Sequence, residues 1–396
     1  MDAEISADER RVRELVESLF EGADVSDAVA FLGKQFDLGL ARVHYPVGEG
    51  GIGIAPRLQA VVQEAIAAQN GPSHPFNVGP GMVGPTLVTH GTEEMKARFL
   101  RRLYSSEDCW CQLFSEPDAG SDLAALSTRA VKDGDEWVFN GQKVWTSLAN
   151  RAQWGLLLAR TDPDAPKHRG LTAFIVDMGA PGLSVNPLRQ MNGTAEFNEV
   201  FFSDVRTPDS LRVGAIGDGW RVALTTLMNE RVHIGGSQPR RGEGVIAPAI
   251  DAWSMRPGTA VSRDQLLQLF VEAEVHRLSN IRAAQMRSSG TPGPEGSIGK
   301  LFAAELGQKV LASTMNLLGP EATLYPGYSA IGWRDSDPRA RFLGSPSLTI
   351  AGGTSEIMRN MIAERTLGLP PDIRVDPDVA WKDLPRSAGA VERRDS

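Results

Sequence analysis

KDGDEWVFNGQKVWTS, residues Lys132 to Ser147, is the stretch whose reading decides the fold. Lys132-Asp133-Gly134-Asp135 makes a turn between apolar runs, and Glu136-Trp137-Val138-Phe139 leaves it as a strand. Glycine and aspartate supply turn conformations, while aromatic and β-branched residues suit a pleated surface. The period-two pattern extends over residues 109–215, with Trp154 to Ala159, Leu171 to Val176 and Glu199 to Phe202 as further strands. Several of these runs carry too many apolar residues for one face to meet water, so this β domain is sandwiched by other material.

On either side the period becomes helical. Within residues 1–108, Ser6 to Phe20 puts Val12, Leu15, Val16, Leu19 and Phe20 on one stripe, and Leu58 to Gln69 reads as another helix. A turn-rich stretch, GPSHPFNVGPGMVGP (71–85), leads to a basic helix that starts at Thr92. Residues 216–369 carry long amphipathic segments near 218–235, 262–289, 297–318 and 354–367, the last stopped by Gly368 and Pro370. Residues 370–396, rich in Asp, Pro and Arg, read as a loose tail. Helices, then strands, then helices make an α+β chain, not the alternating βαβ order of a doubly wound sheet.

At 396 residues the chain is too long for one compact core. A net charge of −8 and a pI of about 5.4 exclude a nucleic-acid or anionic-membrane surface, which needs a basic face. No apolar run has membrane-spanning length and the first residues are acidic and amphipathic, so a cytoplasmic protein without membrane insertion is expected. Cys109 and Cys111 read as two reduced thiols, too few for a zinc site, and no metal is expected. Two G-x-G-x-x-G matches, at Gly48/Gly50/Gly53 and Gly79/Gly81/Gly84, are flanked or interrupted by prolines. Neither follows a strand and opens a helix as a dinucleotide site requires, so both read as loops.

Four segments carry chemistry. From Gln112 to Asp122 a strand runs into a loop of hydroxyls, glycine and main-chain N–H groups, suited to ring edges and phosphates or simply a polar turn. In NGQKVWTS (140–147), Trp145 is either core or a flat surface for a ring. After Gly217-Asp218-Gly219, helical spacing puts Trp220, Leu224, Leu227 and Ile234 on one stripe, with Arg231 in its middle and Glu230 on its flank near Ala223. Charges there are a functional pair or a structural ion pair between helices. In Ala351-Gly352-Gly353-Thr354-Ser355-Glu356, two glycines precede a helix whose start offers unpaired N–H groups, an anion site or an ordinary cap.

Together, SEPDAGSD (115–122), NGQKVWTS (140–147), FNEVFFSDVRTP (197–208), GDGW (217–220) and GGTSEIMRNMIAERTLG (352–368) resemble the acyl-CoA dehydrogenase family, from His90 to Leu369. The resemblance implies an N-terminal helical domain, a central β domain and a C-terminal four-helix bundle, assembled as dimers or tetramers. It implies FAD between the β domain and the bundle. Gln112, Phe114, Ser115, Gly120 and Ser121 would then contact the flavin or the thioester arm. Trp145 and Ser147 would cover the ring, and Gly353, Thr354 and Glu356 would reach the adenosine half. The expected activity is α,β-dehydrogenation of an acyl-CoA, with electrons passing to an electron-transfer flavoprotein.

Two departures sharpen the resemblance. Most members place the catalytic base where this chain has Gly352, whereas a minority place it on the first bundle helix directly before an Arg. Glu230-Arg231 fits the minority position, so Glu230 is the expected base, with Arg231 orienting it or the CoA arm. The flavin-binding Arg-x-x-Phe-Gly is absent around 253–268, where Arg256 and Arg263 are the candidates to replace it. Asn316 to Glu321 only half matches the usual glycine-rich turn. These departures resemble a bacterial branch acting on steroid side chains and other bulky acyl-CoAs, in which two related chains can pair. A catalytically dependent or inactive subunit of a hetero-oligomeric acyl-CoA dehydrogenase, and a flavin oxidase or monooxygenase on the same fold, are the alternatives.

Overall fold

The computed structural model describes residues 6–236, 238–287, 295–324, 337–371, 373 and 376–385. Helix α1 (Ala7–Phe20) starts where the Ser6 hydroxyl accepts from the Glu9 amide. Its Val12, Val16 and Leu19 pack with residues of α2 (Ala28–Asp37) and α3 (Gln59–Ala68) in a first core. Gly79 to Val83 is not a loop but a π-helical turn that runs into α4 (Gly84–His90). Pro80 and Pro85 fall in the first turns of these helices, where a missing N–H costs nothing. Gly84 is needed for contact, because a β-carbon there would lie 2.6 Å from the Tyr104 hydroxyl of α5 (Glu93–Ser105). Thr92 caps α5 as the sequence predicts.

The middle of the chain forms one eight-stranded sheet. Its strands are β1 (Trp110–Leu113), β2 (Arg129–Asp133), β3 (Glu136–Ser147), β4 (Trp154–Arg160), β5 (Leu171–Asp177), β6 (Leu183–Leu188), β7 (Phe197–Pro208) and β8 (Arg212–Val213). The order is β6-β7-β3-β2-β4-β5-β8, with β1 parallel to β4. The 132–135 turn closes the β2–β3 hairpin at the pair Asp133 and Glu136, with Gly134 left-handed at φ +62°. One core joins the sheet to α5 through Phe99, Leu103, Trp110, Leu156 and Ile175, and takes in Val222 and Ala223 farther along the chain. A second gathers Leu113, Trp137, Phe139, Leu157, Phe174 and Val200. The first core sets helices against the sheet, whereas the second is built from the sheet's own strands and turns, so other material covers only the first face.

The C-terminal helices are α6 (Gly219–Gly235), α7 (Ala247–Met255), α8 (Ala260–Arg287), α9 (Glu295–Leu318), α10 (Pro338–Gly344) and α11 (Ser355–Arg365). Helix α9 is their hub and touches α6, α7, α8, α10 and α11. The buried stripe of α6 differs from the expected one. Val222, Ala223 and Thr226 are fully buried, while Trp220, Leu224 and Leu227 are only half-buried. Small side chains let α6 approach its neighbours, an advantage that hydropathy alone does not register. Glu230, one turn after Thr226, is half-buried at the edge of this inward face, on the side of the fully buried Ala223. Among the described residues no helix is long and apolar enough to cross a membrane.

The tail is not loose where it is described. Ala380 bridges to Pro166, and the Trp381 indole N–H donates to the Ala125 carbonyl at 3.0 Å. The buried Arg160 guanidinium lies 4.7 Å from the Trp381 ring centre. Lys167 joins Asp376, at 3.0 Å, to Asp122, at 2.9 Å. A single tryptophan in a polar stretch anchors this strap against the loop that follows Ser121. Deleting residues 376–396 is expected to leave the fold intact. Amide exchange at residues 122–126 should then quicken roughly tenfold, as expected from losing a desolvated cation–π contact and a hydrogen bond.

Candidate active site

Glu230 points from α6 toward the end of β1, where the Gln112 amide nitrogen lies 3.5 Å from its Oε2. Burial pushes the Glu230 carboxyl above its ordinary range, against the opposing pull of Gln112, Arg231 and Lys300. The turn before α11 lies beside it. A β-carbon on Gly352 would sit 3.5 Å from Glu230 Oε1, 3.8 Å from Lys300 Cε and 2.9 Å from Ile234 Cδ1. A side chain at 352 would thus point at the Glu230 carboxylate, which reaches the same spot from another helix. Gly352 and Gly353, at φ +67° and +97°, hold the left-handed backbone that glycine tolerates best.

Arg231 is half-buried and its Nε has no hydrogen-bond partner, an uncommon state for a buried donor. Lys300 is fully buried on α9, and its Nζ donates to the Gly353 carbonyl at 2.5 Å. Sequence reasoning missed Lys300. The available signal was its spacing with Ala304, Gly307 and Leu311, a lysine on an otherwise apolar helical face that is buried.

The loop after β1 is held from below. Lys143 Nζ, fully buried, donates to Glu116 Oε1 and to the Phe114 carbonyl, both at 2.9 Å. Glu116 also accepts from the Ser127 and Thr128 amides at 2.7 and 2.8 Å. Burial raises the Glu116 carboxyl, but Lys143, Thr128 and Ser127 outweigh it and hold it near 2. The Ser115 carbonyl accepts from the Val144 amide at 2.9 Å. The Phe114 side chain is buried in the core, so a bound ligand can meet this residue only through its backbone. Gly120 and Ser121 are exposed at the loop tip.

Trp145 stands in an irregularity of the β3–β7 pairing, at φ +60°. A bulky residue rarely adopts that conformation. The bulge turns its indole out to 61% exposure, with Phe197 edge-on at 6.1 Å. Ser147 is half-buried beside it, and the intervening Thr146 Oγ1 is buried without a partner. Thr354 caps α11 by accepting from the Ile357 amide at 3.2 Å, and Glu356 is exposed in the first turn.

The structure thus brings Gln112, Glu230, Lys300 and Gly352 together. Among the described residues no hydrogen bond or ion pair joins Gly120, Ser121, Trp145 or Ser147 to Glu230. Arg256, a candidate for the missing flavin contact, is exposed and faces Glu321 at 3.5 Å, while Arg263 is exposed on the first turn of α8.

Sequence profiles of the acyl-CoA dehydrogenase N-terminal, middle and C-terminal domains match residues 8–107, 111–205 and 217–367. The chain is 39% identical over 338 residues to the acyl-CoA dehydrogenase FadE34 of Mycobacterium tuberculosis, covering 84% of this chain but only 45% of that protein's length. It is 37% identical over 345 residues to the acyl-CoA dehydrogenase IpdE1 of the same organism, covering 85% of this chain and 86% of the relative. The solved Tcur3481–Tcur3483 steroid ACAD superposes with a TM-score of 0.70 at 29% identity, over 94% of this chain and all of that one. The three matched domains and these relatives show that the chain belongs to the acyl-CoA dehydrogenase family.

Proposed function

We propose that this acyl-CoA dehydrogenase converts a bulky acyl-CoA to its 2-enoyl-CoA, with Glu230 removing the α-proton. The observation that carries this reading is the Glu230 carboxylate beside Gly352, where a side chain from the α11 turn would otherwise point. A thioester α-C–H is weakly acidic, so its removal needs an ionised carboxylate with a raised proton affinity in a water-poor site. The raised proton affinity of the half-buried Glu230 supports this role, and Gln112, 3.5 Å away, would orient the carboxylate. Arg231, with its unpartnered Nε, would steady Glu230 or the CoA arm, and Ser121 would meet that arm at the loop tip.

The residues fit an FAD. A strained, exposed Trp145 offers a ring face, and the left-handed Gly352-Gly353 turn brings the chain to the half-buried start of α11. Trp145 and Ser147 would flank the ring, while Gly353, Thr354 and Glu356 would hold the adenosine half. Gln112, Ser115, Gly120 and the Phe114 backbone would line the loop side. When bound, FAD supplies the acceptor for the β-hydride.

An electron-transfer flavoprotein is the proposed electron acceptor, and a second related chain the proposed partner. Arg256 is already turned to Glu321, and α8 exposes Val261, Leu267, Val271, Val275, Leu278 and Met286. An apolar row of that length favours a protein neighbour. The purified chain is expected to be yellow, absorbing near ~450 nm as an oxidised flavin does, and to bleach with ring-bearing acyl-CoAs before straight-chain ones. A colourless chain that turns yellow only when co-purified with a second subunit would favour the dependent-subunit reading. A yellow protein that no acyl-CoA bleaches would overturn the proposed activity.

A further inference from the structure

Lys300 is a buried cation that the proposed reaction has not used. Its Nζ meets a neutral acceptor, the Gly353 carbonyl, and among the described residues no carboxylate lies within ion-pairing distance of it. Burying an ammonium without a paired anion is costly unless the charge acts on something. The charged groups around it are Glu230 and Arg231 from α6, Glu305 on α9 itself and Glu356 from α11. Glu230 in turn faces Gln112, Arg231 and Lys300, and Arg231 faces Arg365 of α11. Two geometric facts tie Lys300 to the base. Its Cε and Glu230 Oε1 both border the β-carbon point of Gly352, at 3.8 and 3.5 Å. A β-carbon on Gly235 would lie 2.3 Å from the Lys300 amide nitrogen, so α6 and α9 cross backbone to backbone at this residue.

We propose that Lys300 is a positioning residue for Glu230: it pins the Gly352–Gly353 turn through the Gly353 carbonyl and holds a cation on the spot that the Glu230 carboxylate also borders. The proposal rests on Glu230 being the base. It explains how a carboxyl that burial drives toward the neutral form still serves as a base near neutral pH. A cation behind the carboxylate offsets part of the burial without forming a tight pair that would quench it.

The test compares Lys300→Met, Lys300→Gln and Lys300→Arg, each loaded with flavin, by the pH dependence of kcat/KM. Loss of the charge in the Met and Gln variants is expected to move the acid limb up by roughly one pH unit, the low end of what a nearby charge does. The Arg variant is expected to keep the limb at its wild-type position. A purely structural lysine would lower the whole profile without moving the limb. An unmoved limb in a folded, flavin-loaded Met or Gln variant overturns the proposal. So does failure of both to fold while the Arg variant folds with a wild-type limb, which would assign Lys300 to folding alone. Glu230→Gln separates the two readings. If it is inactive while the limb stays put, only the role of Lys300 fails, whereas a fully active Glu230→Gln removes the base assignment itself.

Discussion

Replacing Lys143 by Met is expected to cost about 3–5 kcal/mol of stability, the usual penalty for removing one member of a buried ion pair. Lys143 is fully buried and bridges Glu116 to the Phe114 carbonyl, so its loss strands a carboxylate and a carbonyl. Urea unfolding followed by tryptophan fluorescence checks the loss, with eight tryptophans as reporters. Removing both charges, as Lys143→Met with Glu116→Gln, should recover part of it, because a neutral pair leaves no ion without a counterpart. A single Met variant as stable as the parent would contradict the role given to this pair. The sign with pH follows from the depressed Glu116 carboxyl. Its stabilisation is fully present above the ordinary value of 4.5 and is lost as pH falls toward about 2. The loop carrying Ser115, Gly120 and Ser121 rests on the same pair, so flavin retention should fall together with stability.

Glu230→Gln carries the largest expected effect on rate. Turnover with an acyl-CoA and an artificial electron acceptor should drop about 10²–10⁴-fold, the range for losing a general base. Flavin content should stay near wild type, because the residues proposed to hold the cofactor are elsewhere. The wild-type pH profile has a direction of its own. Burial raises the Glu230 carboxyl, so the ionised base is lost as pH falls through a value above the ordinary 4.5. The acid limb of kcat/KM should therefore lie above the range of a solvated carboxylate, and a limb at or below it would contradict the burial argument.

The sequence made the order of helices, strands and helices legible because its periods change so plainly. The 132–135 turn and the apolar runs of β4 and β5 have no helical reading, and Thr92 and Thr354 announce the helices they cap. Glu230 was singled out as the candidate base because Gly352 leaves the position that the family resemblance gives to the base without a carboxyl. What escaped the sequence depends on contacts between distant segments. The π-helical turn at Gly79 to Val83 looks like a loop until Leu103 is seen packed against Gly79, and Tyr104 against Gly84 just beyond it. The inward stripe of α6 is built from Val222, Ala223 and Thr226, small residues chosen for close approach. The strap at Trp381 depends on Arg160 and Ala125, more than 200 residues earlier. Lys300 was passed over because one lysine on a helix ordinarily reads as solvent-facing.

Single-turnover flavin reduction tests the central claim, Glu230 as the α-proton base, most directly. Wild-type and Glu230→Gln protein, each with flavin bound, are mixed anaerobically with an acyl-CoA carrying either hydrogen or deuterium at its α-carbon. The wild type is expected to bleach rapidly with the protonated substrate and several-fold more slowly with the deuterated one, because the α-C–H bond breaks in that step. The Gln variant should bind the substrate yet bleach at least about a hundredfold more slowly. A Gln variant that bleaches at the wild-type rate would show that another group takes the proton, and the assignment of Glu230 would fall.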